Sequence, residues 1–535
     1  MEIKYRLLKV IDTAGLSFLS PVVRLVAGEE PRKQLKDIGR WIVVPVSAMA
    51  LFAVLWSIIA PRHKTKSGEV PTPAVVLEAW DGIARFHDNE SAKEEGFQLT
   101  GEARLSELKQ AVARLSEVES LELEANQRLK EVRDSADAEK LQIIAPFKSA
   151  YDAKSDEYRD YRKKNAARLK RAGDPLLEKG ESERLAYLAD MRAVEVKTEE
   201  LKVERDTLKV ELEAAEEQTF PDLKEALKAS TLLGEEKQFL IKYIDLVGES
   251  SREFKLAAAQ ETLKSSRQEF LTSTEGDLYK LCGNIIKNEK FTETIGTSQY
   301  AKPWTLPKQI VRSLFCVFTG FLLASIIAIP IGILCGLSNT FMAAMTPFIA
   351  LFKPVSPLVW LPIVMIIVGG FMPDPDNHWL IVALGKVPIL KEYKIDPMFL
   401  SSAITVALCS LWATLVNTAL GVGSIDKDHL NVARVLRLGF FARLFKIIIP
   451  TALPLIFAGL RISLGVGWMV LVAAEILSTS EGIGKFVNDM YTNGSAESFA
   501  QIFVVVFIVG FIGMLLDRIM VFLQRLVSFD TSPAL

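Results

Sequence analysis

A chain of 535 residues is longer than one hydrophobic core usually organises, so two or more structural units are expected. Half of the residues are hydrophobic and 24 % are charged, and the two populations occupy different stretches of the chain. The formal net charge of −2, with no basic stripe interleaved with aromatics, argues against nucleic acid as a partner; Cys282, Cys316, Cys335 and Cys409 offer neither a disulfide framework nor a metal-ligand spacing.

In chain order, residues 5–27 read as an amphipathic surface helix or, equally, as an ordinary packed helix. Residues 41–60 (WIVVPVSAMALFAVLWSIIA) carry no charge and are long enough to cross a hydrocarbon core of about 30 Å. Without a short basic start or a small-residue cleavage site ahead of it, this segment reads as an uncleaved anchor. Apolar runs return at 310–337, 341–371, 399–422, 453–476 and 499–521, giving about six spans. An even number puts both termini on one side. Lys4, Arg6, Lys9, Arg32, Lys33, Lys36 and Arg40 favour the cytoplasm for that side, as do Arg434, Arg437, Arg443 and Lys446. Arg62, Lys64, Lys66, Lys386, Lys391 and Lys394 count against it.

Between the first span and the rest lies a charged stretch. Over residues 94–217 roughly 40 % of positions are Asp, Glu, Lys or Arg on an Ala- and Leu-rich background, the composition of long exposed helices or a coiled coil. Leu105, Leu108, Val112 and Leu115 follow a heptad seam that shifts register to Val118, Leu121, Ala125 and Val132. A second seam runs through Tyr187, Met191, Val194, Thr198, Leu201, Leu208, Leu212 and Ala215, interrupted by Arg205. Breakers at 171–175 and 178–180 between the seams predict an antiparallel hairpin, with Pro146 a kink and further helices over 222–288. The insert can dock a partner or a second copy, or serve as a solvated spacer.

The segment 431–462 (NVARVLRLGFFARLFKIIIPTALPLIFAGLRI) is cationic and amphipathic and leads through Pro450 and Pro454 into the next span. It resembles the cytoplasmic Glu-Ala-Ala coupling loop of binding-protein-dependent ABC importer permeases, in the nitrate, sulfonate, taurine and bicarbonate branch. Blocks at 71–79, 313–339, 353–364, 415–425 and 459–487 are similar to the family's in the family's order, and the nitrate-type members look nearest. The resemblance covers roughly residues 41–80 and 308–525 and leaves the charged insert outside it. It implies an all-α membrane protein, a type I ABC importer permease bundle of about six transmembrane helices, into which the insert's own composition and seams place a large α-helical coiled-coil hairpin. The expected division is a cytoplasmic segment 1–40, the first span and following segment 41–80, a periplasmic helical insert 81–304, the permease domain 305–525 with coupling loop 424–452, and a tail 526–535.

At the loop, Asn431, Val432 and Ala433 stand where the family has Glu-Ala-Ala, and Arg437 departs from the pattern, with Gly439 two residues later expected to supply the permissive backbone of the turn. Ala433 is small enough for close approach to an ATPase, Phe440, Phe441, Leu444 and Phe445 can enter an apolar groove, and Arg434, Arg437 and Arg443 can pair with an acidic rim. Read alone, the stretch also fits a basic helix at the membrane surface. The resemblance implies two permease copies over two ABC ATPase subunits, a periplasmic substrate-binding protein and membrane lipid as partners. This chain has no phosphate-binding loop, since EGIGK at 481–485 lacks the first glycine and the hydroxyl, so ATP and its magnesium are expected on the partner ATPase and the permease itself is not an enzyme.

Charged groups inside spans are costly, which singles out Lys353, Arg461, Glu475 and Asp517. Arg461 and Glu475, fourteen residues apart or about 21 Å along a helix, share a face without pairing. Arg461 is placed to attract an anion and Glu475 to hold an outer gate, or each serves an interhelical bond or snorkels to the interface. His63, His87, His378 and His429 have no ligand spacing, and no catalytic set is present. The expected activity is import of a small anion, nitrate first and sulfonate, taurine or bicarbonate as alternatives, in a bacterial inner membrane. The competing expectation is a non-transporting membrane tether whose insert does the work.

Overall fold

The computed structural model describes residues 8, 11, 17–65, 68–175, 180–216, 220–273, 277–375, 377–385, 393, 395–426, 428, 431 and 435–527. The chain divides into two units, Met1–Ser91 with Lys302–Leu535, and Ala92–Ala301. Of the expected helix over 5–27, the described part comprises Leu8, Ile11 and a stretch ending in α1, Ser20–Val26.

In the first unit, α1 is followed by α2 (Pro31–Arg62), a two-residue hairpin pairing β1 (Lys64–Thr65) with β2 (Gly68–Glu69), and α3 (Pro73–Gln98), whose residues up to Ser91 belong here. The remaining helices are grouped after the insert in sequence. Within α2 the turn Gly39–Val43 widens to π geometry just ahead of Pro45, whose missing N–H leaves the regular ladder one donor short.

The insert, described by itself, contains α4 (Gly101–Gly173), α5 (Glu181–Glu216), α6 (Pro221–Val247), α7 (Arg252–Thr272) and α8 (Leu278–Gly296). The 73-residue α4 runs through Pro146 as one helix. Its carboxy-terminal half pairs antiparallel with α5, through Arg168–Asp190 at 2.8 Å and Lys154–Glu204 at 2.6 Å, and its amino-terminal half pairs antiparallel with α6, through Arg114–Glu236 at 2.8 Å and Lys237–Glu122 at 2.9 Å. The α5 seam is close to the one read from spacing: Tyr187, Val194, Thr198, Leu201, Leu208, Leu212 and Ala215 are the sheltered positions, while Met191 is exposed. Arg205, the seam's interruption, lies over the ring of Tyr158 at 4.8 Å, so its planar cation is accommodated by stacking. Of the expected α4 seam, Leu108, Leu115, Val118, Ala125 and Val132 are sheltered, while Leu105, Val112 and Leu121 are exposed. Leu105 and Val112 face solvent, and Arg104 and Ala111 take their places, because Arg104 reaches Glu253 and the Val247 carbonyl at 2.9 Å each while the small Ala111 lets Tyr243 and Val247 close in. α7 and α8 form a third antiparallel pair, tied by Arg267–Glu289 and by Asn288 donating to Ser266 at 2.8 Å.

These ion pairs set an acid limit. The hydrogen bonds from Lys154 to Glu204 and from Arg168 to Asp190 hold both carboxyls below their ordinary values, and the Gly101 N–H does the same for Glu253. A carboxyl whose folded pKa is depressed stabilises the fold above its unfolded pKa and loses that contribution as pH falls through the folded value. Hydrogen-exchange protection of α4 and α5 in the full chain is therefore expected to be level from pH 7 to about 5 and to drop below about 4, less steeply at high salt. Unchanged protection at pH 3 would show that these exposed pairs contribute nothing.

Returning to the first unit, α9 (Leu306–Leu337) is followed by α10 (Asn339–Phe352), α11 (Pro357–Phe371), α12 (Trp379–Gly385), α13 (Pro397–Gly423), α14 (Phe440–Ser478), α15 (Ile483–Asn493) and α16 (Ala496–Val527). Five described helices, α2, α9, α13, α14 and α16, are long and apolar enough to cross a membrane. The sixth expected span, 341–371, is not one straight helix: α10 and α11 meet at a bend of 101°. Pro354 and Pro357 each remove a backbone donor there, and Ser356 caps α11 by accepting the Leu358 N–H at 3.3 Å. Lys353 thus stands at the end of α10, at a helix break.

The bundle core is α9, α13 and α14. α9 presents Gly320, Ala324, Ala328, Gly332 and Gly336, one small residue per four, to α13, which runs parallel to it. Backbones approach so closely that a Cβ on Gly320 would lie 2.6 Å from the Ala403 carbonyl oxygen. In lipid, where apolar burial alone does not draw helices together, such close packing and interhelical hydrogen bonds hold the bundle. α14 supplies one of these bonds: the Ser463 hydroxyl donates to the Ser410 carbonyl at 2.6 Å and accepts the Thr414 N–H at 3.1 Å, bridging the two ends of one i to i−4 step of α13.

Candidate functional site: the two ends of the helix bundle

α13 and α14 are antiparallel, and the segment joining them lies at the end of the bundle where α13 finishes. Val432, Ala433 and Arg434, the centre of the expected coupling loop, lie outside the described residues. Around them, Asn431, Val435, Leu436, Arg437 and Gly439 are described, followed by the start of α14 at Phe440. The turn is made differently from the expectation. Arg437 takes the left-handed conformation at φ 47°, whereas Gly439 is extended at φ −63°, ψ 165°, as the residue preceding a helix usually is. An arginine tolerates that region less well than glycine.

The apolar residues of this segment point out of the bundle. Val435 is 82 % exposed and Phe441 71 %, and Leu436, Phe440 and Phe445 are exposed too, with Phe440 and Phe441 edge to face at 5.5 Å. Arg437 is also exposed; Arg443 is partly covered. Leu444–Ile448 forms a wide π turn directly before Pro450, so the connection into the span is a continuous helix with one loosened turn.

The opposite end, where α9 and α13 begin and α14 finishes, carries a buried polar cluster. Arg312 is 1 % exposed. Its guanidinium donates to the Tyr393 carbonyl at 3.1 Å, the Ser480 hydroxyl at 2.8 Å, the Glu481 carbonyl and Asp396 at 3.0 Å, and lies 5.5 Å from the Phe399 ring. One planar cation therefore ties α9 to the segment before α13 and to the turn after α14. Asp396 also caps α13, accepting the Phe399 N–H at 2.8 Å. Glu475, likewise 1 % exposed, accepts the Ser313 hydroxyl at 2.6 Å and the Gly484 N–H at 2.9 Å, and Ser313 in turn accepts the Ile483 N–H at 3.0 Å. A side chain at Gly482 would collide with the Glu475 carboxylate at 2.4 Å, so the turn can wrap this acid only with glycine there.

Arg461, on the same helix as Glu475, does not reach it and makes a two-pronged bond to Asp517 of α16, at 2.5 Å and 3.0 Å. The structure thus gives Arg461 and Glu475 separate interhelical partners. Arg312, Ser313 and Asp396 were missed in the sequence. The available signal was a lone arginine two residues inside the apolar run 310–337, which reads as a flank until its acceptors, up to 169 residues away, are known.

Comparison with known proteins places this architecture. The profile described as "Binding-protein-dependent transport system inner membrane component" matches residues 328–529. The nitrate import permease protein NrtB of Synechococcus elongatus is 34 % identical over 240 residues, 45 % of this chain and 75 % of the relative. The bicarbonate transport system permease protein CmpB of the same organism is 34 % identical over 218 residues, 41 % of this chain and 68 % of the relative. The taurine transport system permease protein TauC of Escherichia coli is 32 % identical over 195 residues, 36 % of this chain and 61 % of the relative. With membrane-length helices packed through glycine and alanine, and with three quarters of a transport permease covered, this chain belongs to the binding-protein-dependent inner-membrane transport components, the multi-pass permease subunits of ABC importers.

Proposed function

We propose that this chain is the permease of an ATP-driven importer of a small anion, nitrate first, and that the segment 431–450 couples it to a separate ATPase. The observation that carries the coupling reading is the outward-facing apolar set Val435, Leu436, Phe440, Phe441 and Phe445 beside the exposed Arg437, at one end of the bundle and continuous with α14. A groove on a soluble partner with an acidic rim would bury those rings and pair that cation. Movement of the partner would then enter the bundle through Pro450 and α14, whose far end carries Glu475 against Ser313. ATP and magnesium belong to the partner, two permease copies face each other, and a binding protein delivers cargo to the Arg312 end. In this orientation both termini are cytoplasmic and the 81–304 insert, a coiled-coil hairpin, is periplasmic, where it can meet the binding protein. Bicarbonate is the leading alternative cargo, since the bicarbonate permease is 34 % identical, as the nitrate one is, over a slightly shorter stretch.

The test is Ala433→Glu, which puts a bulky charge into the proposed docking groove. The tagged wild-type chain, drawn from its native membrane, is expected to bring down an ATPase whose hydrolysis rises with one of nitrate, bicarbonate, a sulfonate or taurine. The variant is expected to lose most of that stimulation, at least tenfold. Equal copurification and stimulation in the variant would remove the coupling assignment, and recovery of envelope proteins without an ATPase would favour the tether.

A further inference from the structure

We propose that the indole N–H groups of Trp360 and Trp412, whose rings both lie against Phe352 at the break between α10 and α11, form a mid-membrane binding site for a small oxyanion. The inference rests on the importer reading and names where its cargo is held. It starts from two donors that have no acceptor. The Nε1 atoms of Trp360 and Trp412 are both buried without a hydrogen-bond partner among the described residues, and Trp412 as a whole is only 9 % exposed. An indole N–H can donate only, and a buried donor left unmade carries its full desolvation penalty, so two such groups in one neighbourhood require an account.

One ring joins them. Phe352, the last residue of α10, stacks on Trp412 at 6.3 Å and lies 5.7 Å from Trp360 on α11. The apolar neighbours of this cluster include Met345, Ile349, Leu411 and Leu415. The acidic side chains of the core spans are engaged elsewhere: Glu475 with Ser313 and Gly484, Asp517 with Arg461. An acceptor carrying negative charge would satisfy both indoles.

The backbone makes the same choice. α10 and α11 are bent by 101°, which places the positive end of the α11 dipole at the break, although its first N–H groups are already held by the hydroxyl and carbonyl of Ser356. Lys353, the residue after Phe352, is exposed and has no ion-pair partner among the described residues. α10 climbs roughly 21 Å from its start before breaking, and Trp412 lies near the middle of α13, so the cluster sits at the depth where transporters built on broken helices hold their cargo. Trp412 is also bracketed by Ser410 and Thr414, the step of α13 bridged by Ser463.

The chain has eight tryptophans, so the full-length protein in lipid nanodiscs, labelled at the indole nitrogen, yields eight N–H resonances. Trp360→Phe and Trp412→Phe, which keep a ring against Phe352 and remove the donor, assign two of them. Titration with sodium nitrate, and separately with sodium bicarbonate, at constant ionic strength is expected to move both assigned resonances downfield with one shared dissociation constant. Lys353→Gln is expected to weaken that constant about tenfold. If a phenylalanine variant does not fold, β-(3-benzothienyl)alanine at the same position replaces N–H by sulfur at nearly unchanged shape. The same preparations, reconstituted with their ATPase, are assayed for uptake. Uptake by wild type with no anion response at either indole overturns the site and leaves the importer reading standing. A saturable response at both indoles without uptake of any tested anion keeps the site and sinks the importer reading.

Discussion

Arg312→Leu is expected to destabilise the membrane unit by about 3–5 kcal/mol, the range for removing one partner from a buried charged network. The substitution takes away one cation and leaves the Tyr393 and Glu481 carbonyls and the Ser480 hydroxyl facing an apolar side chain. Asp396 is less affected, since its side chain is 43 % exposed and also holds the Phe399 N–H. Most of the loss therefore arises at the turn after α14. For a unit of this size the change corresponds to a fall in melting temperature of order 10 °C, read by size-exclusion chromatography of heated detergent-solubilised protein. Arg312→Lys is expected to recover only part of it, because a lysine is a point charge and cannot reach acceptors on two segments with one planar fork. A leucine variant melting within about 2 °C of wild type would mean that the cluster is not a structural tie.

That cluster also marks where sequence reasoning stopped. Spans were legible because hydrocarbon thickness imposes a length and a lack of charge, both written in one stretch of chain. The α5 seam was legible for a similar local reason, down to Arg205, whose stacking on Tyr158 explains its tolerance at an apolar position. The bend between α10 and α11 was not read, although Pro354, Ser356 and Pro357 announce it, because hydropathy measures how long an apolar run is and says nothing of its direction. On α4 the departures at Leu105 and Val112 came from partners: Tyr243 and Val247 fit against Ala111 and not against Val112. At the candidate coupling segment the family blocks located the loop, yet the left-handed residue is Arg437 and not the glycine, since φ depends on how the helix restarts at Phe440. Arg461 and Glu475 stood out by charge alone, but their partners Asp517, Ser313 and Gly484 come from other elements, which no spacing rule reaches.

The second large effect is expected at Gly332, where the sign of a familiar substitution should reverse. In an exposed helix, glycine to alanine is favourable by roughly 1 kcal/mol, because alanine has less backbone freedom to lose. Gly465, in α14, has nothing within 4 Å of where a Cβ would stand, so Gly465→Ala is expected to be neutral or stabilising by about 0.5–1 kcal/mol. At Gly332 a Cβ would lie 2.7 Å from the Leu415 carbonyl oxygen and 2.7 Å from the Thr418 Cβ. Neither neighbour is the free end of a flexible side chain, so α9 and α13 must separate. Overpacking of this kind costs about 1–3 kcal/mol, and Gly332→Leu, needing still more room, is expected to abolish a monodisperse folded peak. Separation at Gly332 would also draw Ala324 and Ala328, on the same stripe of α9, away from α13, so the loss would exceed one local clash. Measured side by side in thermal melts, Gly332→Ala should fall below wild type and Gly465→Ala should not. Equal melting of the two variants would mean that α9 and α13 do not touch along this seam in the folded protein, and that the bundle is held by α14 instead.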